Sequence, residues 1–361
     1  MSGKPTVVLI TGVSRCLGSH LAAQLVADPS IARVIGIDSA QPRKADLQRI
    51  GRTEFVRADI RNPLIAKVLA QAQVDTVVHM PLVGPLRGVG GQPTKEPSVV
   101  GTMQLLAACQ KSETVSRVVV RSTTAVYGSS PKDPAVFTEE MHAIGHTATG
   151  YAREAVEIEG HVRGFMRRRP DITVTILRFA SLIGPSIDVP VGRLLAMPII
   201  PSSLGFDPRL QLLHESDAVE VLRRASVGDH PGVFNVAADG IIPLSQAVRR
   251  ARRLRLPVPA PAISAVAEIV RNSGIGEVSA EGASFLKFGR AVDTTRLRTR
   301  FGYQPRYTTE QALDSYLGAR VSKSRLSTNA LRIVEGVAAR IMAARSGVPA
   351  LAAATAAPAG Q

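Results

Sequence analysis

A glycine-containing loop directly follows the first apolar run of the chain. The run covers residues 7–10, and the loop over residues 11–18 reads Thr-Gly-Val-Ser-Arg-Cys-Leu-Gly. A loop that opens a helix can hold a phosphate, because the first N–H groups of a helix are free and carry partial positive charge. Gly12 would allow the tight turn, and Gly18 would allow the helix to pack closely on the strand. The residues predicted to contact a dinucleotide here are Gly12, Ser14, Arg15, Cys16, Leu17 and Gly18.

Two carboxylates follow later apolar runs. Asp38 lies about 20 residues past the loop, where a carboxylate can accept hydrogen bonds from the ribose hydroxyls of an adenosine. Asp59 and its neighbour Ile60 follow the next run, although an aspartate there is by itself more often a helix N-cap. The loop alone is also compatible with a plain turn. Asp38 and the strand before the loop together favour a nucleotide site over a plain turn.

The composition narrows the choice of partners and compartment. The formal net charge is +15, but the arginines are mostly dispersed and the chain has no Trp for base stacking. Nucleic-acid binding is therefore not predicted. The two cysteines, Cys16 and Cys109, lack the spacing of a zinc site or a disulfide framework, and no apolar stretch is long enough to span a membrane. These features predict a cytoplasmic protein without a metal.

Short apolar runs alternate with helix-length amphipathic stretches through the first half of the chain. This alternation is typical of a parallel sheet that helices cover on both faces. We predict an α/β fold with a Rossmann-type doubly wound sheet of six strands, the first helix covering 17–26. The predicted strands are residues 7–10, 34–37, 54–56, 76–79, 118–120 and 174–177.

Beyond the sixth predicted strand the chain changes character. Five prolines between residues 185 and 208 break the alternation into shorter elements. We predict a dinucleotide-binding domain over 1–184, to which later segments return, and a smaller C-terminal substrate lobe over 185–321. Residues 322–361 are predicted to form a basic amphipathic helix with a disordered Ala/Pro-rich end. This helix and the basic run at 249–255 leave a peripheral membrane contact open, although a solvated helix face is the commoner meaning.

Further segments resemble, in order, those of the extended short-chain dehydrogenase/reductase family. The chain resembles specifically its NAD-dependent epimerase/dehydratase branch, to which UDP-glucose 4-epimerase belongs. The resemblance covers about residues 6–318 and rests on the order of the segments, since no single one is decisive. Besides the loop, the matching segments are residues 77–81, 122–128, 177–185, 213–218, 234–236 and 293–305, together with a helix that begins at Tyr151 and includes Glu159.

The resemblance implies a chemistry and the residues that carry it. In such enzymes a tyrosine phenolate takes the proton of a substrate hydroxyl while the nicotinamide takes the hydride, and a Ser or Thr hydroxyl binds the same oxygen. Thr123 and Tyr151 match these two positions, although a helix-opening tyrosine is otherwise more often a packing residue. Met80 and Pro81 match the segment beside the coenzyme. His79, at the end of a buried strand, is predicted to be a packed histidine.

The chain departs from the family pattern at two positions. Four residues after the tyrosine, the family has a lysine that lowers the pKa of the phenol, and this chain has Ala155 instead. Arg153 is a poor substitute for that lysine, because it faces another side of the helix. The middle glycine of the loop, expected at Arg15 or Cys16, is also missing. Arg15 could contact a phosphate, or it could be a solvated residue at the loop edge. An Arg15 that reached the 2′-phosphate would favour NADP, whereas Asp38 would repel that group and favours NAD.

The predicted function is an NAD-dependent sugar-nucleotide epimerase or dehydratase-like oxidoreductase. Thr123 and Tyr151 would act at a sugar carbinol carbon. Arg193 and Arg209 are candidates for the diphosphate of a nucleotide sugar, because guanidinium groups match phosphate oxygens. The alternative, which Ala155 motivates, is a catalytically weak or inactive NAD(P)-binding sensor or scaffold. The resemblance also implies a homodimer.

Overall fold

The computed structural model describes residues 7–81, 97–128, 130, 133–141, 151–197, 199–259 and 289–320. The strands are β1 (Val7–Thr11), β2 (Arg33–Asp38), β3 (Glu54–Arg57), β4 (Thr76–His79), β5 (Arg117–Thr123), β6 (Thr173–Phe179), β7 (Ser181–Ile183), β8 (Ile199–Ser203), β9 (Arg209–Leu210), β10 (Leu212–His214), β11 (Gly232–Val236), β12 (Ile242–Pro243), β13 (Leu254–Val258) and β14 (Gly289–Arg290). The helices are α1 (Cys16–Ala27), α2 (Lys44–Ile50), α3 (Leu64–Gln71), α4 (Pro97–Lys111), α5 (Tyr151–Arg168), α6 (Pro190–Ala196), α7 (Glu215–Val227), α8 (Leu244–Arg250), α9 (Thr295–Thr299) and α10 (Thr309–Arg320), with a 3-10 helix at Thr124–Tyr127.

The largest sheet is parallel and has the strand order β11-β6-β5-β4-β1-β2-β3. From β1 the chain runs outward through β2 and β3, and then crosses back to β4. This reversal opens a crevice at the carboxyl ends of β1 and β4, where doubly wound folds bind nucleotides. The predicted Rossmann-type α/β fold is therefore confirmed.

The prediction of six strands was wrong by one. The seventh strand, β11, pairs with β6 along its whole length, from Gly232 to Val236. Its fourth residue, Asn235, is fully buried and bonds to Tyr127 Oη and to the carbonyl of Phe137. A short run that contains a polar residue does not read as a buried strand in the sequence. The hydrogen bonds that allow this asparagine to be buried come from residues distant in the sequence.

Each face of the sheet is covered by its own group of helices. Val119 packs in a core that includes Leu21 of α1 and Leu222 of α7. Its neighbour Val120 points to the other face and packs in a core that includes Val162 of α5. Because both faces are buried, the strands appear in the sequence as continuous apolar runs rather than as alternating ones.

The lobe has a third buried core, formed by residues from β7 to α10, among them Leu195, Leu244 and Leu313. The domain boundary at 184 stays a prediction. The basic run at 249–255 does not form one helix face, because α8 ends inside it and β13 begins there. Arg250 donates to Glu310 and Asp314 of α10, so part of the run is engaged within the lobe.

The described residues contain neither a membrane-spanning helix nor a cluster of metal ligands. No described helix combines the length and apolar character needed to cross a bilayer. No described group of three His, Cys, Asp or Glu residues is arranged to hold a metal ion. The basic helix predicted from residue 322 lies outside the described residues, and so does the Ala/Pro-rich end.

Candidate functional site

A glycine turn at the end of β1 forms the floor of the crevice. Gly12 has a φ of +75°, and a Cβ there would lie 3.0 Å from the carbonyl oxygen of Met80. The Gly12 N–H donates to the carbonyl of Ile37 at 2.8 Å, which joins the turn to β2. Arg15 then precedes α1 and gives it no side-chain cap, so the first N–H groups of the helix are open to an anion. This turn and helix start fit the phosphates of a dinucleotide.

Gly18 is required by close packing of α1 on the turn. A Cβ at Gly18 would collide with the carbonyl oxygen of Gly12 and lie 2.8 Å from Val13 Cα. Both neighbours are backbone atoms that cannot rotate away. We expect Gly18→Ala to lower the free energy of unfolding by about 1–3 kcal/mol and to weaken coenzyme binding. Chemical denaturation and calorimetry measure the two effects.

Gly160→Ala on α5 is the matched control. A Cβ there would meet nothing within 4 Å, so the variant should gain about 0.5–1 kcal/mol from helix propensity. Equal behaviour of the two variants would contradict the packing argument.

Cys16 and Leu17 form the first residues of α1 and differ in their surroundings. The Cys16 Sγ lies 3.4 Å from His20 Nδ1. Burial, and next the charge of Glu215, raise the pKa of this thiol to about 11, so it is a neutral group at pH 7. Leu17 is buried in the core beneath the loop. It therefore supports the turn through packing.

Asp38 is buried at the end of β2 and closes one side of the loop. Its carboxylate accepts hydrogen bonds from the N–H of Ser14 at 3.2 Å and from the N–H of Ala40 at 3.1 Å. The Ser14 hydroxyl in turn donates to the carbonyl of Ala40 at 2.6 Å. An ionised carboxylate offers about four acceptor positions, so capacity remains for ribose hydroxyls. The loop thus fixes the predicted ribose ligand in place.

Asp59 and Ile60 lie beyond the end of β3. The Asp59 carboxylate accepts from Arg61 at 2.6 Å, and this hydrogen bond holds the pKa of Asp59 below its usual range. Ile60 packs against α4, since a Cβ at Gly101 would collide with its side chain. Both residues are half-buried. Both carboxylate oxygens of Asp59 already accept hydrogen bonds from Arg61. A coenzyme hydroxyl could therefore bind Asp59 only through the lone pairs that Arg61 leaves unused.

The end of β4 is fixed by a buried histidine. His79 Nδ1 lies 2.8 Å from Thr11 Oγ1, and Nε2 lies 2.8 Å from Thr102 Oγ1. Burial lowers the pKa of His79 to about 3, so the ring is neutral at pH 7. The Met80 N–H donates to Thr11 Oγ1, and Met80 and Pro81 are both buried beside the turn. His79 is a packed residue that joins β4, β1 and α4, in agreement with the prediction.

The two predicted catalytic residues lie on elements that meet at the same edge of the sheet. Thr123 ends β5, and its Oγ1 accepts from the N–H of Ala125 at 3.2 Å, which caps the 3-10 helix. Tyr151 begins α5, as predicted. Because α5 leads from the carboxyl edge of β5 back to the start of β6, its first turn lies at the carboxyl edge. Ala155, in the next turn, is only 2% exposed and packs in the core.

A buried ion pair fixes α5 to the sheet. The Nε and Nη2 of Arg178 donate to the two carboxylate oxygens of Glu159 at 2.9 and 2.6 Å, and the Ser122 hydroxyl donates to the same carboxylate at 2.6 Å. Desolvation acts to lower the pKa of Arg178, but the hydrogen bonds and charge of Glu159 outweigh it and raise that pKa. Arg178 Nη1 also donates to Tyr127 Oη at 2.7 Å. Sequence reasoning missed the pair, although an arginine inside an apolar strand was its signal.

A cavity of about 390 Å³ lies between the segment that follows β5 and the lobe. Its lining includes Phe137 from that segment and Arg209 and Arg290 from the lobe. Arg290 Nε donates to the carbonyl of Gly128 at 2.8 Å, which holds β14 against the end of the 3-10 helix. The sequence did not predict Arg290. It reaches the cavity because β14 pairs with β9, a strand about 80 residues earlier in the chain.

The structure separates the two predicted substrate arginines. Arg209 lines the cavity. Arg193 on α6 instead donates to the carboxylate of Asp188 at 2.8 and 2.9 Å and is absent from the cavity lining. Arg209 is therefore the better placed of the two for a diphosphate.

The sheet order, the glycine turn and the buried carboxylate at the end of β2 define a Rossmann-type dinucleotide-binding protein. The chain belongs to the NAD dependent epimerase/dehydratase family, whose model matches residues 8–237. This membership confirms the resemblance drawn from the ordered motifs. The family is one of enzymes, which agrees with the prediction of an enzyme.

The chain is also similar to individual proteins, in sequence to two relatives and in fold to a solved structure. An uncharacterized protein of Mycobacterium tuberculosis is 48% identical over 333 residues, 92% of this chain and 89% of that protein. A probable UDP-arabinose 4-epimerase of Oryza sativa subsp. japonica is 28% identical over 242 residues, 63% of this chain and 54% of that protein. The UDP-glucuronic acid 4-epimerase from Bacillus cereus, solved with UDP-glucuronic acid and NAD, has a TM-score of 0.67 at 19% identity, over 87% of this chain and 98% of that one. The last likeness concerns the fold alone.

Proposed function

We propose that the protein is an NAD-dependent epimerase or dehydratase-like oxidoreductase that acts on a nucleotide sugar. One observation carries the proposal. The glycine turn at Gly12, the end of β5 at Thr123 and the start of α5 at Tyr151 all lie at the carboxyl edge of one parallel sheet. A nicotinamide bound there supplies a hydride acceptor and donor. Residues of the chain at the same edge supply the proton chemistry.

The proposed roles follow from the element on which each residue lies and from the family resemblance. Tyr151 takes the proton of the sugar hydroxyl, and Thr123 binds the same oxygen and orients it. Arg209 and Arg290 hold the diphosphate of the sugar nucleotide in the cavity, where their charges match it. Arg193 keeps its predicted role only as the weaker candidate, since it is paired with Asp188.

We propose NAD rather than NADP as the coenzyme. The support is Asp38, whose buried carboxylate at the end of β2 would repel a 2′-phosphate. The compartment we propose is the cytoplasm, on the ground that Cys16 and Cys109 are both free thiols. For the proposed homodimer, the support is a pair of exposed apolar side chains on α4, Val100 at 40% and Met103 at 47% exposure.

Calorimetry and a turnover assay on the purified protein test the proposal together. We expect NAD to bind more tightly than NADP, and at least one sugar in a panel of UDP- and dTDP-sugars to be epimerised or dehydrated. Binding of NAD without turnover of any sugar would favour the alternative of a sensor or scaffold. Absence of NAD binding would contradict both.

Ala155→Lys tests whether the missing lysine limits catalysis. An unassisted phenol with a pKa near 10 is ionised to about one part in a thousand at pH 7, a deficit of about 4 kcal/mol relative to a full base. We expect Ala155→Lys to raise kcat at pH 7 at least about tenfold, because a nearby cation lowers the phenol pKa. The acid limb of the kcat–pH profile should move to lower pH.

Arg153→Ala is the matched control on the same helix. Arg153 is exposed and lies two residues from Tyr151 on another side of α5, so its loss should leave kcat unchanged. Thermal melting checks that lysine is tolerated at the buried position 155. A folded Ala155→Lys protein that binds NAD but shows unchanged kcat would contradict the argument.

A further inference from the structure

Arg121 lies at the floor of the crevice, although neither the glycine loop nor the catalytic motif contains it. Val120 of β5 is the register partner of His79 on β4, which places Arg121 beside Met80. The carbonyl of Met80 is in turn the atom nearest to the position of a Cβ on Gly12. Arg121 therefore lies level with the turn that opens the dinucleotide site.

Arg121 also faces the side of the sheet from which α1 starts. Side chains of a strand alternate between faces, so Arg121 shares the face of Val119 and Thr123. Val119 packs with Leu17 and Leu21 of α1, which identifies this face. An arginine at this position extends towards the start of α1, where Arg15 is the N-cap residue.

Neither guanidinium has a counter-charge within bonding distance among the described residues. The buried Nε of Arg121 has no hydrogen-bond partner, and no hydrogen bond or salt bridge joins either guanidinium to the part of the chain that the structure describes. Desolvation lowers the pKa of Arg15; Asp38 opposes this shift, whereas the charge of Arg121 adds to it. Two positive side chains close to the open start of a helix favour the binding of an anion there.

We propose that Arg121 and Arg15 bind the pyrophosphate of the dinucleotide from opposite sides, as a pair of side-chain cations. The proposal rests on the proposed function, because it takes that coenzyme as the ligand. The two cations would perform the task of the missing middle glycine, which otherwise lets the backbone reach the phosphates. The chain would thus hold its coenzyme through side-chain charge in addition to the start of α1.

Of the parts of the coenzyme, the pyrophosphate is better placed to bind Arg15 and Arg121 than the adenosine is. The ribose ligand Asp38 ends β2, on one side of β1, whereas Arg121 belongs to β5, beyond β4 on the other side. A group held by both Arg15 and Arg121 must therefore lie over β1 and β4, at the middle of the crevice. A pyrophosphate carries two negative charges and suits the planar fork of a guanidinium on each side.

Calorimetric titration of NAD into wild type, Arg121→Gln, Arg15→Gln and the double variant tests the proposal. We expect each single variant to raise the Kd for NAD about 10- to 100-fold, the loss typical of a charge-assisted hydrogen bond. The Kd for adenosine, which has no phosphate, should stay unchanged in every variant. Arg249→Gln removes an exposed cation from α8 and should bind NAD as wild type does.

A second measurement requires no variant. Inorganic pyrophosphate should displace NAD from the wild-type protein at concentrations where sulfate of equal ionic strength does not. A folded Arg121→Gln protein with unchanged affinity for NAD would overturn the role of Arg121 and leave the coenzyme site standing. Failure of pyrophosphate to displace NAD would overturn the pair, and failure of wild type to bind NAD would overturn the proposed function as well.

Discussion

Replacing Glu159 with glutamine is expected to lower the free energy of unfolding by about 3–5 kcal/mol, because it leaves a buried arginine without its counter-charge. The side chains of Arg178 and Glu159 are 0% and 2% exposed, and the nearest pair of their atoms is 2.6 Å apart. Water cannot reach the guanidinium that remains, so the loss is not screened. Urea denaturation of the variant and of the wild type measures the difference.

Two controls test whether the loss of stability comes from the unpaired buried charge rather than from the loss of an ion pair as such. Glu54→Gln breaks a bidentate pair with Arg33, but those side chains are 52% and 43% exposed, so the cost should stay below about 1 kcal/mol. Glu159→Met combined with Arg178→Met removes both charges and should recover most of the loss. If the double variant were less stable than Glu159→Gln, the loss would come from the hydrogen bonds to Ser122 and Tyr127.

Tyr151→Phe is expected to lower kcat about 10²- to 10⁴-fold while leaving the Kd for NAD unchanged, because it removes only the hydroxyl that moves the proton. The residue begins α5, whose position the Glu159 carboxylate fixes through Ser122. The loss should fall on kcat and kcat/KM alike, as for an interaction made in the transition state. Single-turnover kinetics with a sugar nucleotide and calorimetry with NAD provide the two measurements.

Tyr307→Phe is the matched control for the loss of a tyrosine hydroxyl. Its ring stacks on His214 with centroids 3.9 Å apart, a contact that phenylalanine retains. We expect its kcat to equal that of wild type. A Tyr151→Phe protein with wild-type kcat would show that another group moves the proton.

Local order in the sequence determined the fold and predicted the residues of the candidate nucleotide site. Strands buried on both faces produce continuous apolar runs, and the helices between them are amphipathic, so periodicity alone predicted six of the seven strands. Gly12 and Asp38 were predictable for a related reason. Gly12 directly follows β1 and Asp38 ends β2, and the parallel pairing of these two strands brings their carboxyl ends side by side. The missing lysine at Ala155 was likewise a matter of spacing along one helix.

The tertiary structure alone decided which distant side chains meet. Glu159 and Arg178 lie on a helix and the following strand, and their bidentate contact depends on how α5 packs over β6. Arg121 reaches the level of Gly12 only through the register of three strands. Arg209 lines the cavity whereas Arg193 does not, a difference that no local pattern contains. Such contacts depend on packing and register between segments far apart in the chain, and periodicity within a segment carries no information about either.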